Sequence, residues 1–120
     1  MAGEEKRRSE RVIPVVNDEE VVLIHAGPQQ ALGKMLDLSE GGTLVYLFRV
    51  DDDVSVDVGH TCNLTLYHRD NVFHVPARIA RRSGRLLGIE FVNPDEEALR
   101  WISEKLIRME VEWLRLSRKV

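Results

Sequence analysis

A chain of 120 residues, 43% apolar and 31% charged, has room for one packed domain with a modest core and the composition of an ordinary globular protein. Its formal net charge of −3 argues against general DNA or RNA binding, which rests on neutralising many phosphates. No apolar run approaches the ~18 residues of a bilayer span, no apolar stretch follows the basic N-terminus as in a signal peptide, and Cys62 is alone, so no membrane insertion and a reducing, cytoplasmic setting are expected.

Residues 1–11 are polar and read as a flexible N-terminal arm carrying Lys6, Arg7, Arg8 and Arg11. From 12 to 92, short runs of period two alternate with turn residues, which is the pattern of strands. Val12–Val16 contains Pro14 and suits a sheet edge or a strand start. Glu20–His25 follows and is closed by Gly27-Pro28; Ala31–Leu38, the Gly41-Gly42 break and Thr43–Phe48 come next. The acid-rich stretch 51–60 reads as a loop. Thr61–His68 puts Cys62, Leu64 and Leu66 on one face, and Arg69-Asp70-Asn71 reads as a hairpin turn.

Val72–Arg82 aligns Phe73, Val75, Ala77 and Ile79. Ser83-Gly84 is expected to be a two-residue hairpin connection, after which Arg85–Val92 returns with Leu87, Ile89 and Phe91 facing in. Six or seven short antiparallel strands with one buried face predict a mainly β fold. A small barrel is favoured because closure removes exposed edges.

The period changes at residue 93, which predicts a C-terminal helix over 93–120. Asn93 is expected as N-cap, with Pro94 at the first helical position and Glu96 completing a capping-box-like spacing. Acids fill the first turn and bases the last, as the helix dipole favours. Leu99, Ile102, Leu106, Met109, Trp113 and Leu116 recur at heptad-like spacing and predict the seam against the barrel. Trp101, Ile107, Val111 and Leu114 lie off that seam. This surplus of apolar surface predicts a homo-oligomer formed through the helix.

Two separated motifs carry the functional expectation. Arg7-Arg8-Ser9-Glu10-Arg11 places two arginines four apart just before the first strand, and Asp37-Leu38-Ser39-Glu40-Gly41-Gly42 stands at a strand junction. Together they resemble the PilZ family, marked by Arg-x-x-x-Arg and, further along the chain, Asp/Asn-x-Ser-x-x-Gly. Gly88-Ile89-Glu90-Phe91 is a third family-like element. The resemblance runs from Glu5 to Val92, with a helix after it, and implies a PilZ-type six- or seven-stranded antiparallel β-barrel that binds cyclic di-GMP.

By that resemblance Arg7 and Arg11 take guanine and phosphate, while Asp37, Ser39 and Gly42 complete the pocket. Lys6, Arg8, Gly41 and Arg81 are weaker candidates. The chemistry agrees: a guanidinium is a planar fork that pairs with phosphate or with guanine O6 and N7. Lys6, just before the motif, leans toward an intercalated pair of ligands. The resemblance implies a bacterial second-messenger receptor that changes conformation or partner contacts on binding, acts on a downstream protein, and is not an enzyme. The alternative is a PilZ-like interaction module that binds no nucleotide. No cofactor is expected. His25, His60, His68, His74 and Cys62 match no compact metal-ligand spacing, so no metal is expected either.

Overall fold

The computed structural model describes residues 12–15, 21–27, 29–48, 57–68 and 71–118. The arm with Lys6, Arg7, Arg8 and Arg11, most of the acidic loop and the 69–70 turn lie outside the described residues. The described residues form, in order, β1 (Ile13–Pro14), β2 (Val21–Ala26), β3 (Gln29–Leu38), β4 (Gly42–Leu47), β5 (Thr61–His68), β6 (Asn71–Ser83), β7 (Leu86–Phe91) and α1 (Glu96–Arg118). Every pairing is antiparallel. The strands run β3-β2-β5-β6-β7-β4, and β4 pairs back with β3, closing a six-stranded barrel. β1 attaches to β3 alone, an edge position where Pro14 removes no needed ladder hydrogen bond.

Alternate residues fill the interior. Val22 and Ile24 of β2, Leu64 and Leu66 of β5, and Val75 and Ile79 of β6 are all at most 1% exposed. Each such burial contributes about 1.5–3 kcal/mol relative to exposure. Cys62 lies in the same core, and burial pushes its thiol pKa up.

Two β-bulges interrupt this alternation, and both stand on the wall that carries the candidate site. In β3, Met35 pairs with Val45 but Asp37 pairs with Leu44, so Leu36 is the extra residue. In β6, Ile79 pairs with Ile89 but Arg81 pairs with Gly88, so Ala80 is extra. One inserted residue inverts the in-out parity of everything after it. Before the bulge in β3 the odd positions Ala31 and Met35 are buried; after it Leu38 is buried and Asp37 faces outward. Strict alternation puts Asp37 and Arg81 on the inner face of their strands; the bulges turn both out.

Three local expectations are corrected. The β6–β7 hairpin turns at Gly84-Arg85, not Ser83-Gly84, because Ser83 still pairs with Leu86. Gly84 takes φ +60°, the left-handed conformation a tight connection demands. The helix N-cap is Asp95, not Asn93: Asp95 Oδ1 accepts the Ala98 N–H at 2.8 Å, three residues on, and α1 begins at Glu96. Asn93 instead adopts φ +44° and turns the chain between β7 and α1, which leaves Pro94 ahead of the cap.

The seam also differs. Ile102 and Met109 are buried as expected, but Leu99, Trp113 and Leu116 are exposed, and Trp101 and Ala98 are buried in their place. Trp101 stacks on Phe73 of β6 with ring centroids 5.2 Å apart, which rotates the buried face toward it. α1 packs on β1 and β6 through its first half, and residues 111–117 are all exposed. Among the described residues no helix is long and apolar enough to cross a membrane.

Candidate functional site

The β3–β4 connection is built from its own polar groups. The Ser39 N–H donates to the Gly42 carbonyl at 2.9 Å, and the Gly42 N–H donates to Ser39 Oγ at 3.1 Å. The Ser39 hydroxyl donates in turn to the Gly42 carbonyl at 3.3 Å. Ser39 is 7% exposed, so its hydroxyl shapes the turn before any ligand arrives. One acceptor lone pair is left for a further partner. The Gly41 carbonyl accepts the Phe91 N–H at 2.8 Å and ties the turn to β7.

Gly42 is required by backbone proximity. A Cβ there collides with the Ile89 carbonyl oxygen of β7 and lies 3.4 Å from Glu90 Cα. The glycine lets β4 and β7 close the barrel at the site.

Asp37 is held at both its backbone and its carboxylate. Thr43 Oγ1 donates to the Asp37 carbonyl at 2.7 Å, and Asp37 Oδ1 accepts the Leu44 N–H at 3.0 Å. Burial pushes the Asp37 carboxyl above the usual carboxylate range; the Leu44 N–H and the Arg81 guanidinium pull it partly back. Its second oxygen has no hydrogen bond among those described, so Asp37 is a fixed acceptor facing the cleft.

The register explains how Arg81 reaches it. Asp37 pairs with Leu44, Leu44 with Gly88, and Gly88 with Arg81, one continuous row across β3, β4, β7 and β6. Members of such a row share a face of the sheet. Beside it, Arg78 and Glu90 form a half-exposed ion pair at 2.9 Å, worth at most about 1 kcal/mol.

Over this wall opens a cleft of about 700 Å³. That lies within the roughly 300–1,000 Å³ of small-molecule pockets. Asp37, Ser39, Gly41, Gly42 and Arg81 all line it. The structure therefore brings together every sequence-derived candidate it describes; Lys6, Arg7, Arg8 and Arg11 fall outside the described residues. Val12 also lines the cleft.

Two contributors were not assigned to the site from sequence. Thr43 anchors the Asp37 backbone, and Gly88 leaves the space over which Arg81 lies. Gly88 stood in a quoted motif, but only the pairing register gives it a partner. Among the described residues no three His, Cys, Asp or Glu side chains are grouped to hold a metal ion.

Solved structures with the same architecture share little sequence. The PilZ domain of YcgR from Escherichia coli, recorded with c-di-GMP, superposes with a TM-score of 0.75 at 18% identity, over 95% of this chain and 99% of that one. The PilZ domain of CeSA from a cellulose-synthesizing bacterium gives 0.66 at 17% identity, over 83% and 98%. The Bacillus subtilis inhibitor of motility MotI/DgrA gives 0.64 at 14% identity, over 85% of this chain and 51% of that one. At these identities the likeness is one of fold. No curated protein matches the sequence. The profile of the PilZ domain matches residues 5–108, a span that takes in both motifs, the whole barrel and the first half of α1, and the chain belongs to the PilZ domain family.

Proposed function

We propose that this domain is a receptor for cyclic di-GMP, binding the dinucleotide rather than turning it over. One observation carries the proposal: Asp37, Ser39, Gly41, Gly42 and Arg81 converge on a single open cleft in a fold whose E. coli neighbour, the YcgR PilZ domain, is recorded with that ligand.

Asp37 accepts hydrogen bonds from the Watson–Crick edge of a guanine, whose N1–H and N2–H are donors. Arg81 faces the same space with a guanidinium suited to phosphate or to guanine O6 and N7. The turn of Ser39 to Gly42 forms the small polar wall. Arg7 and Arg11 supply the clasp. Arg11 precedes the cleft-lining Val12 directly, and Arg7 is five residues away, within about 17 Å along an extended chain. Lys6 sets whether one ligand or an intercalated pair is held.

Closing the arm over the cleft changes the surface shown to a downstream protein, which gives the receptor an output. Self-association through α1 is the second part of the proposal. Ile107, Val111 and Leu114 are 63%, 46% and 49% exposed and lie on the side of the helix opposite Met109, which packs on the barrel. The spacing of four and three is that of a helix seam, and a second copy of this chain fits it. A cytoplasmic setting accords with the ligand and with the unpaired Cys62.

The test is selectivity. Equilibrium binding to cyclic di-GMP and cyclic di-AMP at matched salt is expected to favour the guanine ligand strongly, because adenine offers Asp37 no N1–H. Equal binding of both overturns the role of Asp37. Binding of neither leaves the domain a protein-interaction module without a nucleotide.

A further inference from the structure

Gly88 faces outward in the row that joins Asp37 to Arg81, yet it is buried. Its cover is Arg81. A Cβ placed on Gly88 lies 3.0 Å from Arg81 Nε, 3.3 Å from its Cβ and 3.5 Å from its Nη2. The arginine therefore lies across β7 over the missing side chain, with its guanidinium directed along the row toward Leu44 and Asp37. No backbone atom is among the three nearest contacts, unlike at Gly42. Nor does Gly88 take a left-handed φ, since the positive-φ glycines are Gly27, Gly59 and Gly84. Neither backbone crowding nor backbone conformation accounts for a glycine here; the arginine lying over it does.

We propose that Gly88 is a positioning residue for the ligand cleft: by lacking a side chain it seats the Arg81 guanidinium over β7, on the side of the row that faces Asp37, and any larger residue displaces it. This rests on the reading of the cleft as a cyclic di-GMP site, and it adds the condition under which Arg81 serves that site. The bulge at Ala80 and the glycine at 88 act together. The bulge turns Arg81 onto the outer face, and the glycine lets it lie down rather than stand off into solvent. A long, flexible arginine that is already laid in place loses less freedom on binding than one that must be gathered from water.

The seat has a signature that needs no ligand. The Arg81 charge lowers the pKa of Asp37 across the row, so displacing it lets the Asp37 carboxyl titrate higher. The experiment follows the Asp37 carboxyl by ¹³C NMR through a pH titration of ligand-free wild type, Gly88→Ala, Arg81→Gln and the double variant. Arg81→Gln is expected to raise the Asp37 pKa, Gly88→Ala to raise it in the same direction, and the double variant to add nothing further. An unchanged Asp37 in Gly88→Ala, with a shift in Arg81→Gln, overturns the proposal; so does an unchanged Asp37 in both.

If Gly88→Ala does not fold, Gly88→Ala/Arg81→Ala removes Nε, the nearest atom that the new methyl meets, and Nη2, leaving only the Arg81 Cβ at 3.3 Å. Recovered folding supports the seat, and persistent unfolding overturns it. Cyclic di-GMP titration completes the test. Gly88→Ala is expected to weaken binding about tenfold, the scale of one lost charge-assisted hydrogen bond, in the wild-type background and scarcely at all in the Arg81→Ala background. Equal weakening in both backgrounds counts against the seat. If wild type does not bind the ligand, the cleft reading fails while the carboxyl titration still decides the role of Gly88.

Discussion

Asp37 and Arg81 stand on strands that are not neighbours, yet each directly follows a β-bulge and both end in one cross-strand row over the cleft. Neither bulge alone assembles the pair. With Leu36 in regular alternation instead of a bulge, Asp37 follows Met35 into the core; with Ala80 in regular alternation, Arg81 follows Ile79 inward and Arg82 takes the outer face. A charge turned into an apolar core without a partner costs several kcal/mol, so the bulges are required by stability as much as by the site.

The Asp37 carboxyl carries a pH dependence whose sign follows from its raised pKa. The folded state holds the proton more tightly than the unfolded chain, with its ordinary value of 3.8. The contribution of Asp37 to stability is therefore greatest below pH 3.8, declines as pH rises through the folded pKa, and is level above it. Asp37→Asn keeps an oxygen to accept the Leu44 N–H and removes the half-buried charge. Thermal unfolding across pH is expected to show the variant more stable than wild type at neutral pH, with the gap narrowing in acid, while its affinity for cyclic di-GMP falls.

Gly42 and Gly88 separate two reasons for a glycine. Gly42→Ala drives a methyl into the Ile89 carbonyl, which cannot move without parting β4 from β7. Chemical denaturation is expected to show a loss of about 1–3 kcal/mol, the range of overpacked sites. The three atoms nearest a methyl on Gly88 all belong to the Arg81 side chain and none lies under 3.0 Å, so Gly88→Ala is expected to unfold close to wild type.

Trp101 anchors α1 to the barrel through Phe73 and is 4% exposed. Trp101→Ala is expected to cost about 3–5 kcal/mol, the range of large aromatic truncations in cores. Denaturation followed by circular dichroism checks it, with helix signal lost ahead of strand signal.

Alternation made most of the barrel legible. Cys62, Leu64 and Leu66, and likewise Val75, Ala77 and Ile79, are buried as their spacing requires, and Pro14 sits at the edge strand it implied. The bulges were harder. In β3 a trace exists, because the buried set moves from odd to even positions between Met35 and Leu38. In β6 there is none: Arg81 and Arg82 are both arginine, so sequence parity cannot say which faces the cleft. Asn93 and Asp95 are both good caps, and only the Asp95–Ala98 hydrogen bond separates them. Trp101 fell off a strict heptad because α1 is gripped at one end and runs past the barrel at the other. Asp37, Ser39 and Gly42 were named from a spaced motif; Gly88 needed a partner three-dimensional pairing alone supplies.

The exposed stripe of Ile107, Val111 and Leu114 makes a claim about assembly. Light scattering at rising concentration is expected to show self-association, and Ile107→Glu/Val111→Glu is expected to abolish it without lowering the unfolding midpoint, since both side chains are exposed. A monomer at every concentration, with and without ligand, contradicts the role of the stripe.

Arg7→Ala and Arg11→Ala are each expected to weaken cyclic di-GMP binding by about 1–3 kcal/mol, the range of a lost charge-assisted contact, with unfolding unchanged. Wild-type affinity in either variant means that the arm is not the clasp.

Isothermal titration of the purified chain with cyclic di-GMP in low salt decides whether the cleft between Asp37 and Arg81 is a receptor site. Saturable heat at micromolar ligand or below, diminishing as salt rises, is the predicted result. An absence of saturable heat under those conditions contradicts the assignment of the cleft.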